Sequence, residues 1–96
     1  MKIDMTKEWL PVGTIVSIRF YKSKFMIVGY LVNEGDTDKV YDYAAVVYPG
    51  GFLDNDSFTL FNRDTVKKIH HIGYFTEEFK ALSKFVEEKE SEIYGQ

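Results

Sequence analysis

The chain has no cysteine among its 96 residues, and this absence excludes several kinds of chemistry together. Disulfide bonds, thiolate-ligated metal sites and cysteine nucleophiles all require that side chain. Proteins of reducing compartments commonly lack disulfides, so the composition is typical of an intracellular protein. We therefore expect a fold that is held together by its hydrophobic core alone.

Long apolar runs are also missing from the sequence. Residues 1–8 have charges scattered through them and lack the apolar centre of a secretory signal peptide. The longest apolar stretch, residues 25–32, is interrupted by Gly29. It is far shorter than the roughly 20 residues that cross a bilayer as a helix. These features predict a cytoplasmic protein that does not insert into membranes.

Basic residues form no stripe along the chain. The net charge is −3, and residues 1–76 contain nine acidic and nine basic side chains. The acidic excess therefore lies in residues 77–96, which carry six glutamates and three lysines. Because binding to a phosphate backbone needs clustered lysine and arginine, the sequence predicts no nucleic-acid partner.

No recognisable catalytic or metal-binding motif is present. His70 and His71 are neighbours, and neighbouring strand residues point to opposite faces, so we expect one packed and one exposed imidazole. Residues 54–57 resemble the start of a calcium loop, but threonine occupies the sixth and twelfth positions, where glycine and glutamate are needed. None of the five serines lies in a nucleophile elbow. We expect no catalytic residue, no metal site and no cofactor.

Alternating and apolar segments predict five short strands and one helical turn. The predicted strands are residues 14–20, 25–33, 40–48, 57–61 and 69–74. The second segment is apolar on both faces, which predicts a central strand covered on each side, and Gly29 predicts a bulge within it. Asp64 is expected to cap one helical turn over residues 65–68.

The final segment predicts a helix that begins after Thr76. Thr76 is a suitable N-cap, and two glutamates follow it in the first turn, where the helix dipole favours negative charge. The apolar stripe of this helix comprises Phe79, Leu82, Phe85 and Val86. Beyond Val86 the sequence offers no apolar face, so we expect that end to project into solvent or to fray.

These elements predict a single domain over residues 1–96. It comprises an N-terminal extension (1–9), a β domain (10–74) and a C-terminal helix with an acidic end (75–96). The fold class is α+β, mainly β, with a small, strongly curved antiparallel sheet of about five strands. Short strands and tight turns favour an SH3-like partial barrel with the helix packed on its open side.

Aromatic residues are abundant, at 17% of the chain. Tyr41 and Tyr43 share one face of the third predicted strand, and Tyr48 lies on the other. These rings either fill the core and rim of a small barrel or form an exposed patch for a protein partner. The third strand has only one charge, Asp42, so as an edge strand it would be poorly protected without a partner.

The ordered motifs resemble a known family. They are LPVGTIV (residues 10–16), MIVGY (26–30), DY (42–43), VYPGGF (47–52), FN (61–62) and IGY (72–74) leading into EEF (77–79). In order and spacing this series resembles a family of small domains of unknown function from Firmicutes. Its members are commonly encoded near type VII secretion components and LXG polymorphic toxins. The resemblance covers residues 10–86.

The resemblance implies a cytosolic, non-enzymatic accessory of toxin export, acting as an adaptor or targeting factor for a secretion component or a toxin. An immunity protein and a small-ligand-binding domain remain as alternatives. Alone, the protein is expected to be a monomer or a weak homodimer. The candidate binding residues are Tyr43, Tyr48, Pro49, Gly50, Gly51, Phe52, Asn62 and Tyr74.

Overall fold

A computed structural model describes residues 4–54 and 57–94. The elements in chain order are β1 (Ile15–Ile18), β2 (Lys24–Asn33), β3 (Val40–Tyr48), β4 (Phe58–Phe61), a 3-10 turn (Arg63–Thr65), β5 (Val66–His71) and α1 (Glu77–Tyr94). This confirms the predicted fold class, a small α+β domain, mainly β, with five antiparallel strands and one C-terminal helix.

The strands form one antiparallel sheet in the order β4-β3-β2-β1-β5. The first four strands follow one another as a meander, and β5 returns to pair with β1. The sheet does not close into a barrel, so β4 and β5 are its edges. The expectation that β3 needs protection as an edge strand is wrong, because β2 and β4 pair with its two sides.

Gly29 marks a bulge in β2, as its sequence position predicts. The register shifts between Ile27 and Gly29, so that Ile27 lies opposite Ala45 and Gly29 lies opposite Ala44. The extra residue moves the in-and-out alternation by one position. As a result, Tyr30 packs against the same core as Ile27, although the two are three residues apart.

The core lies between one face of the sheet, the N-terminal segment and α1. Trp9 and Leu10 of the N-terminal segment and Phe79 and Val86 of the helix join the buried strand residues. Those strand residues include Val16, Ile18, Phe25, Ile27, Tyr43 and Ala45. No helix or strand of the described part packs on the opposite face of the sheet. The prediction that β2 is covered on both faces is therefore wrong.

The helix is longer and better anchored than its sequence suggests. The Thr76 hydroxyl accepts a hydrogen bond from the Phe79 amide at 3.1 Å, which confirms the predicted cap. Of the two outcomes expected after Val86, fraying is wrong within the described residues, because α1 continues to Tyr94, whereas the exposure of most side chains in 87–94 agrees with projection into solvent. The Tyr94 hydroxyl donates to the Val40 carbonyl at 2.7 Å. Of the predicted stripe, Phe79 and Val86 are buried, whereas Leu82 and Phe85 are exposed.

The elements around β5 begin earlier in the sequence than predicted. The helical turn comes two residues early, at Arg63–Thr65, and Asn62 rather than Asp64 occupies its N-cap position. The strand therefore begins at Val66 and ends at His71. His70 and His71 are both exposed, so the prediction of one packed imidazole is wrong.

Gly73 gives the first testable prediction about this packing. A Cβ at Gly73 would lie 2.2 Å from the Val12 carbonyl oxygen and 3.0 Å from the Thr14 nitrogen. Both contacts are with backbone, which must shift, so we expect Gly73→Ala to lower the free energy of unfolding by about 1–3 kcal/mol. Urea denaturation measures this difference.

Gly50→Ala is the matched control for Gly73→Ala. A Cβ at Gly50 meets only the Val47 carbonyl oxygen at 3.9 Å, an ordinary contact. Equal denaturation midpoints for the two variants would contradict the close approach of the Gly73 and Val12 backbones.

Candidate functional site

The predicted aromatic patch divides between surface and core. Tyr48 and Phe52 are 45% and 57% exposed at the β3–β4 connection, which also contains Pro49, Gly50 and Gly51. Tyr74 is 86% exposed but follows β5, at another part of the surface. The structure therefore keeps residues 48–52 together and separates them from Tyr74.

Tyr43 is a core residue, with none of its surface exposed. Its inclusion in an exposed binding patch is therefore wrong. Its ring contacts those of Trp9, Tyr30 and Phe61, with centroids 5.6, 5.9 and 5.6 Å away. Its hydroxyl accepts a hydrogen bond from the Leu10 amide at 2.8 Å. Burial raises the pKa of Tyr43 well above its usual value, which keeps this hydroxyl neutral.

Tyr30 completes the attachment of the N-terminal segment to the sheet. Its hydroxyl donates to the Leu10 carbonyl at 2.5 Å. Burial raises the pKa of Tyr30 to about 12, so the donor proton is retained at neutral pH. Tyr43 and Tyr30 together satisfy both backbone groups of Leu10.

Asn62, which is half-buried, also has a structural role. Its side-chain oxygen accepts a hydrogen bond from the Asp42 amide at 3.0 Å. The Asp42 carboxylate in turn accepts from the Arg63 amide at 2.8 Å and from the Arg63 Nε at 3.1 Å. The Arg63 guanidinium lies over the Trp9 ring at 4.0 Å and pairs with Glu90 of α1. Asn62 therefore helps to hold the junction between the sheet and the helix.

The face of the sheet that is turned away from the core, here called the outer face, carries an apolar groove. Its volume is about 450 Å³, and it lies across β2, β3 and β4. The lining side chains include Val28, Val32, Ala44, Phe58 and Leu60. Phe52 packs beside Phe58, with ring centroids 5.3 Å apart. Of the predicted patch, Phe52 therefore borders this groove.

A polar cluster lies on the same outer face. Ser17 is directly opposite Lys24 on one side and Lys68 on the other. The Ser17 hydroxyl lies 2.7 Å from the His70 Nε2, within hydrogen-bond distance. Desolvation and the charges of Lys24 and Lys68 lower the pKa of His70, which favours the neutral imidazole. Sequence reasoning missed this cluster, because its members are brought together only by strand register.

A second groove, of about 350 Å³, lies beside α1. Tyr74 lines it together with Pro11, Val12, Tyr30, Phe79 and Leu82. This places the last member of the predicted patch on the helix side of the molecule. The structure therefore does not bring Tyr74 near Tyr48 or Phe52.

The loop that resembles a calcium site lies partly outside the described residues, at positions 55 and 56. Its described ends are joined by Ser57, whose hydroxyl donates to the Asp54 carbonyl at 2.6 Å. Among the described residues, no group of three or more acidic, histidine or cysteine side chains is placed to hold a metal ion. No helix in the described part of the chain is both long enough and apolar enough to cross a membrane.

Comparison with known families accounts for most of the chain. A family model for a domain of unknown function, DUF4176, matches residues 9–82. The chain belongs to the DUF4176 family. The DUF4176 match covers all five strands and the first part of α1, and it confirms the predicted membership in a family of small domains of unknown function. Neither a curated protein nor a solved structure matches the chain.

The tyrosines of this DUF4176 domain provide the second prediction. Tyr43→Phe removes the acceptor of the buried Leu10 amide, and we expect it to lower the free energy of unfolding by about 1–3 kcal/mol. Tyr48→Phe is the matched control, since Tyr48 is half exposed and should tolerate the change. Urea denaturation of both variants checks the difference. Equal loss in the two would show that Tyr48 is as structurally important as Tyr43.

Proposed function

We propose that this DUF4176 domain is a non-enzymatic protein-binding module and that its outer face is the binding surface. The observation that carries the proposal is the apolar groove, which no helix or strand of the described residues covers. Phe58 lines the groove and Phe52 packs beside Phe58, and both rings are exposed. Exposed apolar patches rimmed by polar groups are typical of protein interaction sites.

The lining of the groove favours a protein over a small molecule. Small-molecule sites combine a concave apolar cavity with several convergent polar groups that orient the ligand. Among the described residues that line this groove, Asn33 alone has a polar side chain. The aromatic rings beside the groove are of the kind enriched at protein interfaces. A protein partner is therefore the better match.

The sequence resemblance supports a biological setting for this module. We place it as a cytosolic adaptor or targeting factor for the export of a type VII secretion toxin, with a secretion component or a toxin as its partner. An immunity protein that blocks a toxin commonly uses a concentrated patch of charge for fast association. The groove itself is apolar, and the lysines of the polar cluster beside it are only Lys24 and Lys68, which favours the adaptor over the immunity protein.

Binding to the products of neighbouring genes tests the proposal. We expect one of these proteins to form a complex with the purified domain, measured by light scattering and calorimetry. Phe52→Ala and Phe58→Ala should each weaken that complex about tenfold or more, because both remove exposed rings beside the groove. Urea denaturation should show that both variants remain folded.

Tyr74→Ala is the matched control for these binding variants. Tyr74 is also an exposed aromatic residue, but it lies on the helix side of the domain. Its removal should leave binding unchanged. Binding that depends on Tyr74 rather than on Phe52 and Phe58 would refute the outer face as the site, and binding to none of the gene products would refute the adaptor role.

Deletion of the gene separates the adaptor from the immunity protein. The deletion strain should remain resistant to the neighbouring toxin while exporting less of it, because an adaptor acts before secretion. Immunoblots of culture supernatant measure export, and growth beside the producing strain measures resistance. Killing of the deletion strain by that toxin would reverse the assignment.

A further inference from the structure

The outer face has a definite order of side chains across its strands. Residues directly opposite one another in antiparallel strands point to the same side of the sheet. One cross-strand row, the apolar row, contains Ile15, Met26, Val46 and Phe58, with His71 opposite Ile15 at its end on β5. The neighbouring row, the cationic row, contains Lys68, Ser17 and Lys24, with Tyr48 opposite Lys24 at its end on β3. The two rows are about 7 Å apart, the rise of two strand residues.

The cationic row carries charge that no ion pair of the described residues neutralises. Among the described residues, neither Lys24 nor Lys68 takes part in an ion pair. The two lysines lie one strand to either side of Ser17, about 10 Å apart across the sheet. The charges that act on His70 beside them are also cationic. An anionic group placed over this row would be attracted by both ammonium groups and by the one N–H or O–H donor that the Ser17–His70 hydrogen bond leaves free.

We propose that the outer face binds an acidic amphipathic α-helix of a partner protein. The apolar side chains of that helix lie on the apolar row and in the groove beside it. Its glutamate or aspartate side chains lie over Lys24, Lys68 and the Ser17–His70 pair. This inference rests on the proposed protein-binding function and specifies the chemistry of the partner.

The form of the partner follows from the form of the surface. The surface is a sheet face, and β1, β2 and β3 are each paired on both sides, so their backbone offers no ladder to an added strand. Sheet faces in small domains are covered by helices or by a second sheet. The apolar row crosses four strands, a distance of about 14 Å. About ten residues of α-helix span that distance, so three turns suffice.

Two synthetic peptides test the charge preference directly. Both are 18-residue amphipathic helices with leucine along one stripe, flanked by glutamate in the first and by lysine in the second. At low salt we expect the glutamate peptide to bind at least tenfold more tightly than the lysine peptide, measured by fluorescence anisotropy. The double variant Lys24→Glu, Lys68→Glu should exchange the preference between the two peptides.

Two controls assign the effect to the outer face. The double variant Lys80→Glu, Lys84→Glu changes the net charge by the same amount on α1, where both lysines are exposed, and should keep the preference for the glutamate peptide. Phe58→Ala should weaken the binding of the glutamate peptide about tenfold.

In NMR titrations, the bound glutamate peptide should raise the pKa of His70, because a nearby carboxylate favours the imidazolium.

Several outcomes would overturn the inference. Failure of the glutamate peptide to bind, or equal binding of both peptides, would do so. A preference that persists in the Lys24→Glu, Lys68→Glu variant, or one that is lost in the Lys80→Glu, Lys84→Glu variant, would also overturn it. Self-association through this face, seen by light scattering and removed by Phe58→Ala, would replace the partner helix with a second copy. A neighbouring gene product that needs Phe52 and Phe58 but tolerates Lys24→Glu, Lys68→Glu would overturn only this inference and leave the proposed function in place.

Discussion

The guanidinium of Arg63 lies where four parts of the chain meet, and the arrangement of the domain depends on it. It contacts the ring of Trp9, the carboxylate of Asp42 and the carboxylate of Glu90, and its NH1 donates to the Lys7 carbonyl at 2.7 Å. Arg63 and Asp42 are largely buried, so loss of either partner would leave the other charge poorly solvated. Such losses cost about 3–5 kcal/mol when the pair is fully buried. The interaction therefore fixes the N-terminal segment, β3 and α1 relative to one another.

The position of the helix determines what each face of the sheet can do. Because Phe79 and Val86 are used in the core, α1 covers only the face that contains Phe25, Ile27 and Tyr43. The opposite face keeps its apolar side chains half-buried among their own neighbours and presents them as a groove. A domain with a single helix cannot cover both faces of a five-stranded sheet. The candidate binding surface is thus a direct result of the small size of the fold.

Much of the fold could be predicted because local signals determine it. The bounds of β3, the bulge at Gly29 and the cap at Thr76 depend on turn residues, on glycine and on side chains close in sequence. Alternation also predicts which residues share a face, but it does not tell which face is buried. That is why Tyr43 could be placed on a strand correctly and assigned to the surface wrongly.

Contacts between residues distant in sequence could not be predicted in the same way. The extension of α1 to Tyr94 depends on partners at Arg63 and Val40, and no periodicity in the helix signals them. The cationic row combines Ser17, Lys24 and Lys68 from three strands, and a shift of one residue in register would disperse it. Charge counted along the sequence therefore gave no indication of a local positive surface.

The attachment of Leu10 has a consequence for how the path of the chain is encoded. Leu10 belongs to no strand, yet it is buried, and a buried backbone amide and carbonyl must both find partners. The hydroxyls of Tyr43 and Tyr30, 33 and 20 residues away along the chain, provide them. At this one residue, two side chains provide the backbone hydrogen bonds that a neighbouring strand provides along a whole segment. Phenylalanine at either position would fill the same space, but it has no hydroxyl to bond to the Leu10 backbone and so would not fix the path of the chain there.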